Sequence, residues 1–331
     1  MAITEHYVDL TIGTPTGTGT SGNPYGTIEF ALATAVQGGN GDRFNCFGSV
    51  VLSAAITSLG RTPTTSRPCC FQGISTTPGD GGRGDFSGGG AVGFMNTSAS
   101  NIYLIDLDIH SGGVASNLAQ IGQRSAVLNC SLYDHQGTTG LNTGTRTLVK
   151  NCFVTDIAGY GISIQSGSVH MCRLEDGLVS QFTIALRCES AQAVVVSSNE
   201  LIMRGSGTAI SLAGMCSARQ NSIYAHGTTG RGIGGTTSGV FEASNNVVEG
   251  FSGVGGSGIV GSSSKSSPYW EGNAVFDCTT PYSFASSHLK GMTDNEILTS
   301  SAFRDAPNGD LSLVVSGNVR EGSLPNTIGL F

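Results

Sequence analysis

Apolar residues recur along this chain in short alternating runs, not at helical spacing. The line at 125–135, SAVLNCSLYDH, holds an apolar stretch, an Asn-Cys pair, a leucine and an acid. Similar lines begin at Thr147 (TLVKNCFVTDI) and at Ser168 (SVHMCRLEDG). With Cys130 as a register mark, equivalent marks fall at Leu107, Cys152, Cys172, Asn199, Asn221, Asn246, Asn273, Asn295 and Asn318. The intervals run from 20 to 27 residues, with a mean of about 23. A period of this size predicts a solenoid.

Two columns test the register. Two residues after the mark, nine of the ten positions are aliphatic, from Ile109, Leu132 and Val154 to Ile297, with Arg320 the exception. Three residues before it all ten are apolar, among them Leu104, Val127, Val169, Val196, Trp270, Met292 and Val315. The two columns are five apart, and side chains on a straight strand alternate with period two. Both can face one core only if the backbone bends between them. The residues just before the mark, including Asn129, Asn151, Gln220, Asn245, Gly272, Asp294 and Gly317, tolerate the left-handed conformation of such a bend. Each repeat therefore holds two short strands meeting at a corner.

A third strand recurs as GISI at 161–164, TIAL at 183–186, AISL at 209–212, GIGG at 232–235 and GIVG at 258–261. Its isoleucines, Ile162, Ile184, Ile210, Ile233 and Ile259, are expected to form one column. The expected fold is all-β: a single-stranded parallel β-helix (β-solenoid) of three strands per turn. The leucine-asparagine consensus of a leucine-rich horseshoe is missing. Asparagine marks are expected to stack as a hydrogen-bonded ladder, and cysteine marks as buried packing groups.

A solenoid leaves a sheet edge open at each end. Residues 24–37, PYGTIEFALATAVQ, place Ile28, Ala31, Leu32 and Ala35 on one helical face, which predicts a short capping helix. The expected division is 1–45 for the N-terminal strand and capping helix, and 46–331 for the β-helix. Residues 60–100, rich in glycine, threonine and proline, are expected to leave the rungs as long loops.

The stretch GTGTSGNPYGTIEFALATAVQGGNGDRFNC at 17–46 resembles the start of right-handed parallel β-helix proteins of the pectate-lyase-like superfamily. With the rungs, that resemblance covers nearly the whole chain. It implies a right-handed coil. The superfamily includes lyases, hydrolases, epimerases, adhesins and viral spikes, so the resemblance implies no single activity. The Asn-Thr-Asp, Asp-Asp, Gly-His-Gly and Arg-Ile-Lys motifs of polygalacturonase-like proteins are absent. YAHG at 224–227 and LYDH at 132–135 are partial echoes of family motifs.

Composition narrows the functional classes. Among 331 residues, 50 are glycine, 12% are charged and the net charge is −7 with no basic run, which argues against nucleic-acid partners. No apolar run is long enough to span a bilayer, and the start MAITEHYVDLTIG lacks the features of a secretory leader. The nine cysteines include no CxxC pair, so neither a zinc site nor any other cofactor is expected. An RGD triplet at 83–85 lies in a glycine-rich stretch, where chance accounts for it.

Aspartates recur four residues after the mark: Asp134, Asp156 and Asp176 on consecutive repeats, and later Asp277. His135 and Glu175 adjoin two of them. Stacked about 5 Å apart, the first three are candidate catalytic acids, or would call for a cation. They also suit turn positions, where aspartate is favoured.

Two functions follow as expectations. One is a structural component of a virus particle, of phage type: a capsid decoration protein, head spike or tailspike. It would act in the virion with other virion proteins, as a homo-oligomer with a trimer favoured, and in some cases contact host-surface polysaccharide. The alternative is a polysaccharide lyase or glycoside hydrolase that uses the stacked aspartates and reaches the exterior by a non-classical route.

Overall fold

A computed structural model describes residues 3–35, 40–60, 62–89, 93–113, 116–178, 180–189, 193–235, 241–261, 269–283 and 292–313. It divides into two compact units, Met1–Val154 and Thr155–Phe331. Each is a parallel β-helix whose strands pair in register with their copies one turn along. The architecture matches a single-stranded right-handed β-helix, the hand that parallel crossovers between twisted strands favour.

In the first unit, the first sheet runs from Thr4–Asp9 through the start of Asp42–Val51 to Cys69–Gly73, Ile102–Ile105, Ala126–Leu128 and Thr147–Lys150. The second sheet runs from the end of Asp42–Val51 through Gly84–Ser87, Leu107–His110 and Ser131–Tyr133 to Val154. The third holds Met95–Asn96, Asn117–Ile121 and Thr139–Thr143. The stretch 60–100 thus carries a rung of three strands as well as loops. One of those loops is folded around Asp80, whose carboxylate accepts the N–H groups of Ser75, Thr76, Thr77 and Gly82.

The helix Ile28–Thr34 buries Ile28, Ala31 and Leu32 and lies against the strand Thr4–Asp9. Thr27 caps it, its hydroxyl accepting the Phe30 N–H at 3.1 Å.

In the second unit, the first sheet holds Gly167–His170, Val194–Ser197, Cys216–Arg219, Phe241–Ser244, Tyr269–Glu271 and Met292–Thr293. The second holds Arg173–Glu175, Glu200–Met203, Ser222–Ala225, Val247–Glu249, Ala274–Phe276 and Glu296–Ile297. The third holds Tyr160–Ile164, Ile184–Cys188, Thr208–Leu212, Arg231–Gly235, Ser257–Val260 and Thr280–Ser283.

Both predicted columns are core. Leu104, Val127, Val149, Val169, Val196, Ala218, Ala243 and Trp270 are buried, as are Ile109, Leu132, Val154, Leu174, Leu201, Ile223, Val248 and Val275. Ile297 departs from the pattern and is 62% exposed. Val315, Gly317, Asn318 and Arg320 lie outside the described residues. In the third sheet Ile162 aligns with Leu186, and Leu186 with Ile210, so Ile184 sits one pleat early, opposite Tyr160.

The corner between the columns is left-handed. Asp106, Asn129, Asn151, Met171, Ser198, Gln220, Asn245 and Asp294 have φ between 52° and 57°, and Gly272 has 62°. The asparagine marks satisfy the backbone groups that this bend leaves in the core. Each asparagine Oδ1 accepts the N–H of the preceding mark: Cys172 to Asn199 at 2.9 Å, Asn199 to Asn221 at 3.1 Å, Asn221 to Asn246 at 3.0 Å. Each Nδ2 donates to a carbonyl of the preceding rung, as Asn221 does to Val196 and Asn246 to Ala218. It also donates to the next asparagine in the column, and the ladder extends to Asn295.

Replacing Asn221 with alanine strands the Asn199 N–H and the Val196 carbonyl in the core and takes one acceptor from the Asn199 amide. The expected loss is about 3–5 kcal/mol, the usual cost of breaking a buried network, measured by urea unfolding of the purified protein. A loss below about 1 kcal/mol would show that the ladder does not hold the rungs.

Candidate functional site

The aspartates expected to form a catalytic stack occupy three different environments. Asp134, in the first unit, is exposed and left-handed at φ 51°, and its carbonyl accepts the N–H groups of Ser111 and Gly112. Asp156, in the second unit, is left-handed at φ 52°. Its carboxylate lies over Gly177, where any Cβ would collide with it, and its Oδ1 is buried without a hydrogen-bond partner. Asp176 is buried, and its carboxylate accepts the N–H groups of Phe182, Arg204 and Gly205. Burial holds the Asp176 carboxyl above the usual aspartate range, against the pull of those N–H groups. Asp277 repeats the left-handed turn at φ 46°. The recurrence four residues after the mark therefore follows a turn, and at Asp176 a loop anchor.

His135 is buried, its Nδ1 2.8 Å from the Ser111 hydroxyl, and burial pushes its pKa down to about 4. The Arg83 of the RGD triplet is held by Asp108 at 2.7 Å, the Leu107 carbonyl at 2.9 Å and Ser131 at 3.0 Å. Gly84 begins a strand, and the Asp85 carboxylate lies 3.2 Å from His110, so the triplet is part of a sheet face and not a loop tip.

Among the described residues, a dense cluster of titratable groups lies on the outward face of the second unit's second sheet. The Arg173 guanidinium reaches Glu175 at 3.0 Å, Glu200 at 3.5 Å and the Gly309 carbonyl at 3.2 Å. Arg204 reaches Glu175 at 3.0 Å, the Asp176 carbonyl at 3.1 Å and His226 Nε2 at 3.1 Å. Tyr224 packs edge-on against the His226 ring. Partial burial and the adjacent Arg204 charge hold His226 below its ordinary value, which suits a neutral ring accepting from Arg204.

The carboxylates of this cluster diverge. Burial works to raise Glu175, but the hydrogen bonds from Arg173 and Arg204 outweigh it and hold that carboxyl low. Burial raises Glu200 despite Arg173, with Asp310 adding to the rise. Burial raises Glu249 too, despite bonds from the Ser301 hydroxyl at 2.8 Å and the Ala302 N–H at 3.3 Å. A low and a raised carboxyl sharing one arginine is an acid–base arrangement in outline.

A C-terminal strap covers part of this face. Phe303–Asp305 and Asp310–Leu313 form an antiparallel hairpin around a short 3-10 turn closed by Gly309. Leu298, Ala302, Phe303, Ala306 and Leu311 are buried against Ile202, Val247 and Ala274. Glu249 and Arg173 thus pin the strap's backbone at Ala302 and Gly309.

Among the described residues, no group of three or more His, Cys, Asp or Glu side chains is placed to hold a metal ion, and no helix is long and apolar enough to cross a membrane. No protein-family model and no curated protein matches the chain. Among solved structures it is similar to the crystal structure of pectate lyase Pel9A, with a TM-score of 0.63 and 15% identity over 98% of this chain and 89% of that one. It is similar also to a rhamnogalacturonan lyase, with a TM-score of 0.51 and 13% identity over 96% of each chain. At these identities the likeness shows the fold alone, a single-stranded parallel β-helix.

Each carboxylate at the strap contributes a pH dependence of its own sign. Glu200 and Glu249 hold their protons more tightly when folded, so their stabilisation is full below the ordinary glutamate range and is lost as pH rises through the raised values. Glu175 runs the other way, its contribution being lost as pH falls through its lowered value. Glu249→Gln keeps an acceptor for Ser301 and Ala302 and removes the buried charge. It is expected to melt above wild type at about pH 8 and level with it near pH 4, read by thermal unfolding across that range. A variant that melts lower than wild type at the alkaline end would mean that the ionised carboxylate stabilises the strap.

Proposed function

We propose that this chain is a structural component of a virus particle, of phage type, serving as a rigid scaffold and contact surface. One observation carries the reading. The charged groups of the outward cluster are committed to the fold: Arg173, Glu249 and Asp176 hold strap and loop backbone, and Arg204 ties Glu175 to the Asp176 turn. A surface organised in this way resists deformation and leaves few groups available for turnover. The cysteines add support. All nine are thiols, and eight are buried, which suits folding in a reducing cytoplasm such as the one where phage particles assemble.

Mass spectrometry of purified particles from the source is expected to find this chain at stoichiometric level, and light scattering of the isolated protein to give a homo-oligomer, a trimer favoured. Absence of the chain from every particle preparation would overturn the reading.

A second reading is favoured by the divergent pair Glu175 and Glu200 and by the fold shared with the pectate lyase and the rhamnogalacturonan lyase. On this reading the cluster cleaves a polysaccharide, with Glu200 as acid and Glu175 as base. Wild type would then release oligosaccharides from at least one of a panel of neutral and acidic polysaccharides, and Glu175→Gln would lower the rate about 100-fold or more. Wild type that releases nothing from any of them removes the enzyme reading.

A further inference from the structure

Cys188 and Cys216 lie where the third sheet of the second unit turns into the first. Cys188 ends the strand Ile184–Cys188, and Cys216 opens the strand Cys216–Arg219. Strand pairing puts them on successive rungs, Cys188 beside Leu212 and Cys216 beside Val194. Ala213 bridges them. Its N–H donates to the Cys188 carbonyl at 3.1 Å, and its carbonyl accepts from the Cys216 thiol at 3.0 Å. The two thiols also meet directly, Cys188 donating to the Cys216 sulfur. By contrast Cys46, Cys130, Cys172 and Cys278 each donate to a backbone carbonyl two residues before them.

We propose that Cys188 and Cys216 are a reversible disulfide site, reduced when the protein folds and closed into a rung-to-rung cross-link when it meets a small-molecule disulfide. The register sets Cys188 beside Leu212, about 4.8 Å away and four residues before Cys216, and the turn through Ala213 brings the Cys216 thiol back onto that of Cys188, the sulfur-to-sulfur approach from which a disulfide closes. The Cys188 hydrogen bond lowers the Cys216 thiol and raises Cys188, so Cys216 is the sulfur that ionises first. Both thiols are buried, Cys216 at 4% exposure and Cys188 at 1%, and the neighbouring Met215, 57% exposed, marks the side from which a small disulfide would reach Cys216.

The chemistry balances. The Cys216 thiolate attacks the small disulfide, forming a mixed disulfide and releasing one small thiolate. The Cys188 thiol gives up its proton and attacks the Cys216 sulfur, releasing the second. Two protein thiols are oxidised and one disulfide is reduced to two thiols. The bond closes the chain between residues 188 and 216, which restricts the unfolded state.

The test uses the full-length folded protein with oxidised glutathione at about pH 8, near the range where thiols ionise, followed by intact-mass measurement, peptide mapping and thermal unfolding. Expected are the loss of two hydrogens, a peptide linking Cys188 to Cys216, and a melting temperature higher by about 5 °C or more, all reversed by reductant. Cys188→Ser should stop at a single glutathione adduct on Cys216, and Cys130→Ser should still form the link. Unchanged mass in folded protein, or a link between other cysteines, overturns the proposal. The outcome is independent of whether the chain belongs to a particle or acts on a polysaccharide.

Discussion

A bend in the backbone, and the need to satisfy what it exposes, governs this protein. Two core columns five residues apart force a left-handed residue into each corner. That residue turns the next N–H toward the interior, where an unpaired backbone group costs roughly 1–3 kcal/mol. An asparagine at the mark answers with both halves of its amide: Oδ1 takes the N–H of the preceding mark, and Nδ2 takes a carbonyl and the neighbouring amide. Every one of these bonds runs from one rung to another, so the corner fixes both the bend and the register. In the first unit the marks are Leu107, Cys130 and Cys152. There the Leu107 N–H is directed at the Cys130 sulfur, a weaker acceptor, and the thiol turns to its own strand at Leu128.

Much of the coil is legible in the sequence because the constraint repeats. A residue that must be left-handed on every turn selects asparagine, aspartate, glutamine and glycine, and those types stand in the predicted places. Met171 and Ser198 occupy the same corner with no such signature, since neighbouring rungs can impose a conformation that the residue itself disfavours. In the third sheet the column runs through Leu186, where the isoleucine pattern points to Ile184. A slip of two keeps side-chain parity, so hydrophobic alternation cannot detect it, whereas a slip of one would put the aliphatics outside. The rung within 60–100 is hidden because its strands are short and its turns carry the glycine and threonine that dominate the composition.

The candidate site is less legible, for a related reason. The aspartates four residues after the mark form the most regular acidic pattern in the chain, and regularity suggests a shared task. It reflects a shared backbone shape, since Asp134, Asp156 and Asp277 are left-handed turn residues and Asp176 anchors a loop. The cluster of Arg173, Glu175, Glu200, Arg204, His226 and Glu249 occupies positions one, three and five residues after the mark, but the residue type changes from rung to rung in each column, so no repeated residue marks it. Its members come from successive rungs and are completed by a strap whose Gly309 lies more than a hundred residues from Arg173, and no local spacing records such a meeting.

The strap explains a feature of the second sheet that alternation alone does not. Outward positions on a solvated sheet should be polar, yet Ile202, Val247 and Ala274 face out. They are outward with respect to the coil and inward with respect to the strap, so this sheet has two cores. Charges at the border of the second core are half-desolvated. That raises Glu200 and Glu249, and it makes the bonds from Ser301 and Ala302 to Glu249 stronger than the same bonds in water. An open catalytic groove needs its carboxylates facing solvent and substrate. Here the second core draws them toward the chain itself, and the same burial that shifts the Glu249 proton ties that carboxylate to the strap.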